Sequence, residues 1–162
     1  MPFKLKPTYI YEHVREINLD EMKKRGVKAF LFDLDNTIMP PKTGFFPQEI
    51  KEWLERVKQD FKIAVVSNNH NLKYLEEVKK VSDFPIYFNA AKPSTKIVKE
   101  VLSSFGITPE QAVMVGDRPL TDIWVGHRLN MITVLVDPLM KHQEHNIIKF
   151  LRKLERAFIR IN

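Results

Sequence analysis

The chain has 162 residues, enough for one domain that hides roughly 70% of the surface its unfolded form would expose, and too few for a second full domain. Lysine and arginine number 26 against 20 aspartates and glutamates, a net charge of +6 that suits phosphates, nucleic acid or an anionic membrane surface without choosing among them. There is no cysteine, which excludes disulfides, thiolate zinc sites and every cysteine nucleophile, so a reactive group must carry oxygen or nitrogen.

Residues 1–26 read as an extension ahead of the first strong strand signal. Their sequence, MPFKLKPTYIYEHVREINLD onward, holds no apolar block of signal-peptide length, and no stretch of the chain nears the ~18 apolar residues of a membrane span, so the expected compartment is the cytosol. Then come five near-continuous apolar runs of the kind buried on both faces of a parallel sheet: VKAFLF (27–32), KIAVVS (62–67), FPIYFN (84–89), AVMVG (112–116) and MITVLV (131–136). Helical patterns separate them: PQEIKEWLERVKQ, NLKYLEEVKKV, STKIVKEVLSSF and TDIWVGHRL. A last helix is expected over about 141–161, with Ile147, Ile148, Leu151, Leu154 and Phe158 at helical spacing among Lys149, Arg152, Lys153, Arg156 and Arg160. Such a basic amphipathic helix can lie on an anionic bilayer, although stripes like this more often cover the sheet of their own domain.

Strand and helix alternate throughout, which predicts an α/β fold: a Rossmann-like doubly wound parallel sheet of about five strands in a single domain. Ligands of such sheets sit beyond the carboxyl ends of the strands, and there the sequence is polar. After the first strand comes Asp33-Leu34-Asp35-Asn36-Thr37, two carboxylates one residue apart. Like charges so close resist joint ionisation unless a cation or proton shares the site. Mg²⁺ meets that need, being a hard ion that takes oxygen ligands and bridges carboxylates to phosphate. Gly116-Asp117-Arg118-Pro119-Leu120-Thr121-Asp122 supplies further acids after the fourth strand. Metal ligation is expected from Asp33, Asp117 and the backbone carbonyl of Asp35, with Asp122 a direct ligand or just behind one.

The other strand ends offer what a transferred phosphoryl group requires, donors and positive charge around its oxygens. Ser67 and Asn68 follow the second strand, and Lys92 stands before Pro93, which fits a helical first turn. With Thr37, whose hydroxyl also suits holding the loop, these are the candidate phosphate binders. Arg118 fits either a substrate phosphate or a surface acid. The histidines show no metal-ligand spacing and read as structural or surface residues, and Trp53 and Trp124 as core.

The ordered set DLDNT, VVSNN, AKPS and GDRPLTD resembles the four motifs of the haloacid dehalogenase superfamily, specifically its phosphatases. The resemblance implies Asp33 as nucleophile, Asp35 as general acid and base, Ser67 and Lys92 as phosphate binders, and Asp117 and Asp122 as the acidic motif around magnesium. The longer stretch GDRPLTDIWVGHRLNMITVLVDPL is similar to the YqeG-type branch, which includes phosphatidylglycerophosphate phosphatases; the eukaryotic lipid enzymes tend to carry a charged residue where this chain has Leu34. The function expected is hydrolysis of a phosphomonoester through an aspartyl phosphate. A carboxylate suits that role, because it is ionised at neutral pH and needs no partner to remove its proton. The intervals Ile38 to Phe61 and Ser67 to Lys92 leave no room for a large cap. The expected mouth is open, suited to a phosphate on something large such as a lipid headgroup, with peripheral membrane contact and no nucleic-acid partner. One alternative is a phosphatase of a different, small-molecule or protein, substrate; the rival from another class is a phosphate-binding or phospho-acceptor regulatory domain, which also combines acids, magnesium, a hydroxyl and a lysine on a parallel sheet. Asp35 and GDRPLTD argue against it, since an acceptor has no use for an acid and base two residues away.

Overall fold

A computed structural model describes residues 5–139 and 153–157. Six strands, β1 (Tyr9–Tyr11), β2 (Ala29–Phe32), β3 (Lys62–Val66), β4 (Ile86–Tyr87), β5 (Ala112–Gly116) and β6 (Ile132–Val136), form one sheet in the order β1-β6-β5-β2-β3-β4. Every pairing is parallel. The helices are α1 (Leu19–Lys24), α2 (Gln48–Asp60), α3 (Leu72–Lys80), α4 (Lys96–Phe105) and α5 (Trp124–Arg128).

Period-two alternation divides each strand between two layers. Phe30, Phe32, Ile63, Val65, Val113 and Val115 face a large-residue core with Trp53, Leu54 and Val57 of α2 and Tyr74 and Val78 of α3. Phe61 meets the Phe30 ring edge-on at 5.0 Å, and Trp53 does the same to Phe32 at 5.8 Å. The opposite face carries Ala29, Leu31, Ala64, Val66, Ala112 and Met114 under Val98, Val101 and Leu102 of α4 and Val125 of α5. Small side chains there let helices approach closely. At Gly126 an added Cβ would lie 2.4 Å from Cγ2 of Thr133, so α5 rests almost directly on β6.

The sheet has one strand more than the five expected. The sixth, β1, lies inside the stretch read as an extension and pairs with β6 at the sheet edge; three residues with half-exposed side chains carry too little apolar signal to announce a strand. The FPIYFN run is strand only at Ile86–Tyr87, because Asn89 turns into the left-handed region at φ 57°. Between β2 and α2, residues 33–47 form a loop, with no cap domain. The expected helix over 141–161 lies largely outside the described residues; within it, 153–157 is helical, and Arg156 turns back to donate to the Val136 carbonyl at 2.9 Å and to pair with Asp137 at 3.3 Å. No helix among the described residues is long and apolar enough to cross a membrane.

Candidate active site

β2 is central. The chain leaves it toward β3 and β4, then returns to β5 on its other side, and this reversal opens a crevice beyond the carboxyl ends of β2, β3 and β5. The Asp33 amide still donates to the Val115 carbonyl at 2.9 Å, so the first aspartate hangs on the last rung of the ladder. The loop then curls round one acceptor, the Leu34 carbonyl, which takes the amides of Thr37, Ile38 and Met39. Asn36 completes the curl at φ 66°, a left-handed conformation asparagine tolerates better than most residues. Leu34 is fully buried.

Asp33, Asp117 and Asp122 each bring one carboxylate oxygen within 4.8 Å of the others. Asp117 and Asp122 are fully buried, whereas the Asp33 side chain retains 16% exposure and opens the cluster to the crevice. Asp122 sits in a π-helical turn, Pro119–Ile123, a form that collects at functional sites. Its Oδ2 accepts the Arg118 amide at 3.2 Å. Gly116 makes room for it, since a Cβ there would fall 2.1 Å from that oxygen. Thr37 donates its hydroxyl to Oδ1 of Asp117 at 3.3 Å, fixing that carboxylate.

Lys92 enters from the opposite side with its side chain 1% exposed, its Nζ 2.6 Å from Asp122 and 3.1 Å from Asp33. Burial alone would lower its pKa, but the two carboxylates outweigh burial and hold it above the ordinary lysine value, so the ammonium is charged. Burial, with the charge of Asp33, raises the Asp122 carboxyl in turn, while Lys92 draws it back. Three carboxylates against one ammonium leave two negative charges in the cluster. An oxygen-only donor set with that deficit fits one hard divalent cation, which Asp33, Asp117 and Asp122 could hold.

Lys92 is delivered by an irregular segment with Asn89 at φ 57° and Ala91 at φ 51°, left-handed conformations that cost energy in a non-glycine residue. The Lys92–Pro93 peptide is cis. Pro93 does not open the helix that its neighbours suggest it would; α4 starts three residues later, after Thr95. Asn68 holds the segment with a two-way amide clamp, accepting the Lys92 amide at 2.7 Å and donating to the Lys92 carbonyl at 3.0 Å. Its side chain is thereby committed to placing the lysine. Ser67 is buried, and its Oγ accepts the Asn69 amide at 3.1 Å. Neither Ser67 nor Asn68 caps the next helix; Asn71 does, through the Tyr74 amide.

Asp35 is not one of the three clustered acids. Its Oδ1 accepts the Tyr74 hydroxyl at 2.7 Å and the Lys42 amide at 3.4 Å. Burial lifts this carboxyl above the ordinary aspartate value despite those bonds, and Asp33 adds to the rise. Tyr74, nearly forty residues on in sequence, has no motif to mark it; an aromatic on the apolar face of a helix reads as core. Arg118 meets an acid: its Nη2 lies 3.4 Å from Oε1 of the buried Glu155.

A parallel sheet with these four motifs ranged along one crevice is the arrangement that the resemblance to the haloacid dehalogenase superfamily implies. The family described as mitochondrial PGP phosphatase matches residues 2–140, and the chain belongs to it. Among its relatives, phosphatidylglycerophosphate phosphatase 1, chloroplastic/mitochondrial, of Arabidopsis thaliana is 32% identical across 95% of this chain and 47% of its own length. The probable phosphatase YqeG of Bacillus subtilis is 29% identical over 94% of this chain and 88% of its own. The chain thus spans about half the length of the plant relative. An uncharacterised protein from Listeria monocytogenes serotype 4b has a similar solved structure, with a TM-score of 0.56 and 25% identity over 67% of this chain and 78% of that one.

Proposed function

We propose that the chain is a magnesium-dependent phosphomonoester hydrolase working through an aspartyl phosphate on Asp33, with phosphatidylglycerophosphate as substrate and phosphatidylglycerol as lipid product. The observation that carries this reading is the convergence of three carboxylates beside a buried lysine, with one of the acids still open to the crevice. A bound magnesium ion would offset the negative charge of cluster and phosphate, letting an anionic nucleophile approach an anionic group.

In the first step a carboxylate oxygen of Asp33 attacks phosphorus while the bond from phosphorus to the leaving oxygen breaks, and Asp35 gives that oxygen a proton. In the second, Asp35 as carboxylate takes a proton from water, the water oxygen attacks phosphorus, and the bond to Asp33 breaks to release phosphate. The raised pKa of Asp35 supports both halves, for it must be neutral first and ionised afterwards. Lys92 and Ser67 would meet the charged oxygens of the phosphoryl group. Thr37 and Asn68 contribute by fixing Asp117 and Lys92.

The lipid assignment leans on the names of the relatives and on the absence of a cap between β2 and α2. Contact with a membrane surface goes with it. The test is a phosphatase panel of phosphatidylglycerophosphate in anionic vesicles, sugar phosphates, nucleotides and phosphopeptides. Preferred turnover of the lipid is expected, with loss of activity in excess chelator and a drop on the order of a thousandfold in Asp33→Asn. Equal, weak rates on all four classes would defeat the lipid assignment. A stable aspartyl phosphate without turnover would defeat the hydrolase reading in favour of a phospho-acceptor.

A further inference from the structure

Tyr74 lies in the first turn of α3, its amide held by Asn71 at 3.1 Å and its ring packed against Phe88 with centroids 6.0 Å apart. The residue is 7% exposed. A phenylalanine would fill the same space, so packing gives no reason for a hydroxyl in this core. That hydroxyl reaches across to Oδ1 of Asp35 at 2.7 Å, beside the Met39 sulfur at 3.3 Å. The Lys42 amide approaches the same carboxylate oxygen at 3.4 Å. An oxygen that already accepts both the phenolic O–H and the Lys42 amide is the poorer seat for an acid proton than the other carboxyl oxygen.

We propose that Tyr74 is a positioning residue for proton transfer: by donating to Oδ1 of Asp35 it stops the carboxyl from rotating and leaves Oδ2 to carry the acid proton. The proposal rests on the reading of Asp35 as general acid. As the bond between phosphorus and the leaving oxygen breaks and the bond to Asp33 forms, the Oδ2 proton passes to the leaving oxygen. Asp35 is then a carboxylate that still accepts from Tyr74, already oriented to take a proton from water in the second step. The tyrosine keeps its own proton throughout.

The test compares kcat/KM for phenethyl phosphate, whose alkoxide must be protonated to leave, with kcat/KM for 4-nitrophenyl phosphate, whose phenolate leaves without a proton. In Tyr74→Phe the alkyl substrate should lose about thirtyfold and the aryl substrate less than about threefold, a part of what a general acid supplies. The ratio of the two constants does not depend on how much of the variant is folded, so partial misfolding cannot mimic the result. Equal losses on both substrates, or no loss on either, would overturn the role of Tyr74. Asp33→Asn and Asp35→Asn are run alongside. If Asp33→Asn keeps activity, or Asp35→Asn loses both substrates equally, the underlying reading of the two aspartates fails instead. If Asp35→Asn selectively loses the alkyl substrate and Tyr74→Phe does not, only the positioning claim falls.

Discussion

Gly116 ends β5 with its missing side chain occupied by the Asp122 carboxylate, which is why a residue with no Cβ stands directly before Asp117. In Gly116→Ala the methyl group and Oδ2 of Asp122 cannot both stay, so the acid must swing away from Lys92 and from its partner carboxylates. A displacement of about 1 Å in such a site can cost on the order of a hundredfold in rate. The expected outcome is a fall of that order in kcat/KM, with a higher magnesium concentration needed for half-maximal activity, measured by titrating the variant with the metal. Retention of both constants would mean that Asp122 takes no part in setting the cluster. Asn68 illustrates the same economy: its amide satisfies both backbone groups of Lys92 and thereby aims an ammonium it never touches.

Among the elements, the short helix over 153–157 is tied to the turn that carries Asp122 through Glu155 and Arg118. The pair is lopsided, with the glutamate side chain 4% exposed and the arginine 37%. Removing the arginine strands a buried carboxylate, while neutralising the glutamate leaves a guanidinium that water can reach. Arg118→Ala should therefore destabilise the fold by about 2 to 3 kcal/mol and Glu155→Gln by about 1 kcal/mol, read from urea unfolding. The reverse order would show that Glu155 is not held by this contact. Elements differed in how much of themselves they displayed in sequence. The four internal strands flanked by helices were legible because burial on both faces demands unbroken apolar runs, and the motif residues because each directly follows a strand. β1 was not, since an edge strand of three residues buries too little to need such a run. The irregular path to Lys92 also escaped, because left-handed Asn89 and Ala91 carry no composition cue. Tyr74 was hidden by its hydrophobic neighbours, which explain its ring but not its hydroxyl.

At the scale of the whole molecule, the acid cluster makes folding stability depend on pH and metal together. The Asp122 carboxyl, ordinarily near 3.8, is pushed up to about 6, first by burial and then by Asp33, against the pull of Lys92. The folded chain therefore binds more protons than the unfolded one between those values, and stability from this group declines as pH rises through that window. Asp35 is shifted in the same direction. Lys92, shifted upward from 10.5, contributes a constant amount over the same range. In chelator, calorimetry should show a melting temperature that falls between pH 4 and pH 7, with a shallower fall in Asp122→Asn. Magnesium should restore more at pH 7 than at pH 5, because only the ionised acids bind it. A metal effect independent of pH would contradict a carboxylate site.

The position of β2 between β3 and β5 has a consequence for how the molecule can move. Its innermost strand carries the first aspartate on a rung shared with β5, so the Asp33 backbone cannot shift without parting the middle of the sheet. Any breathing of the crevice falls to peripheral segments such as the turn that bears Lys42. The anvil stays still while the edges of the workbench give way.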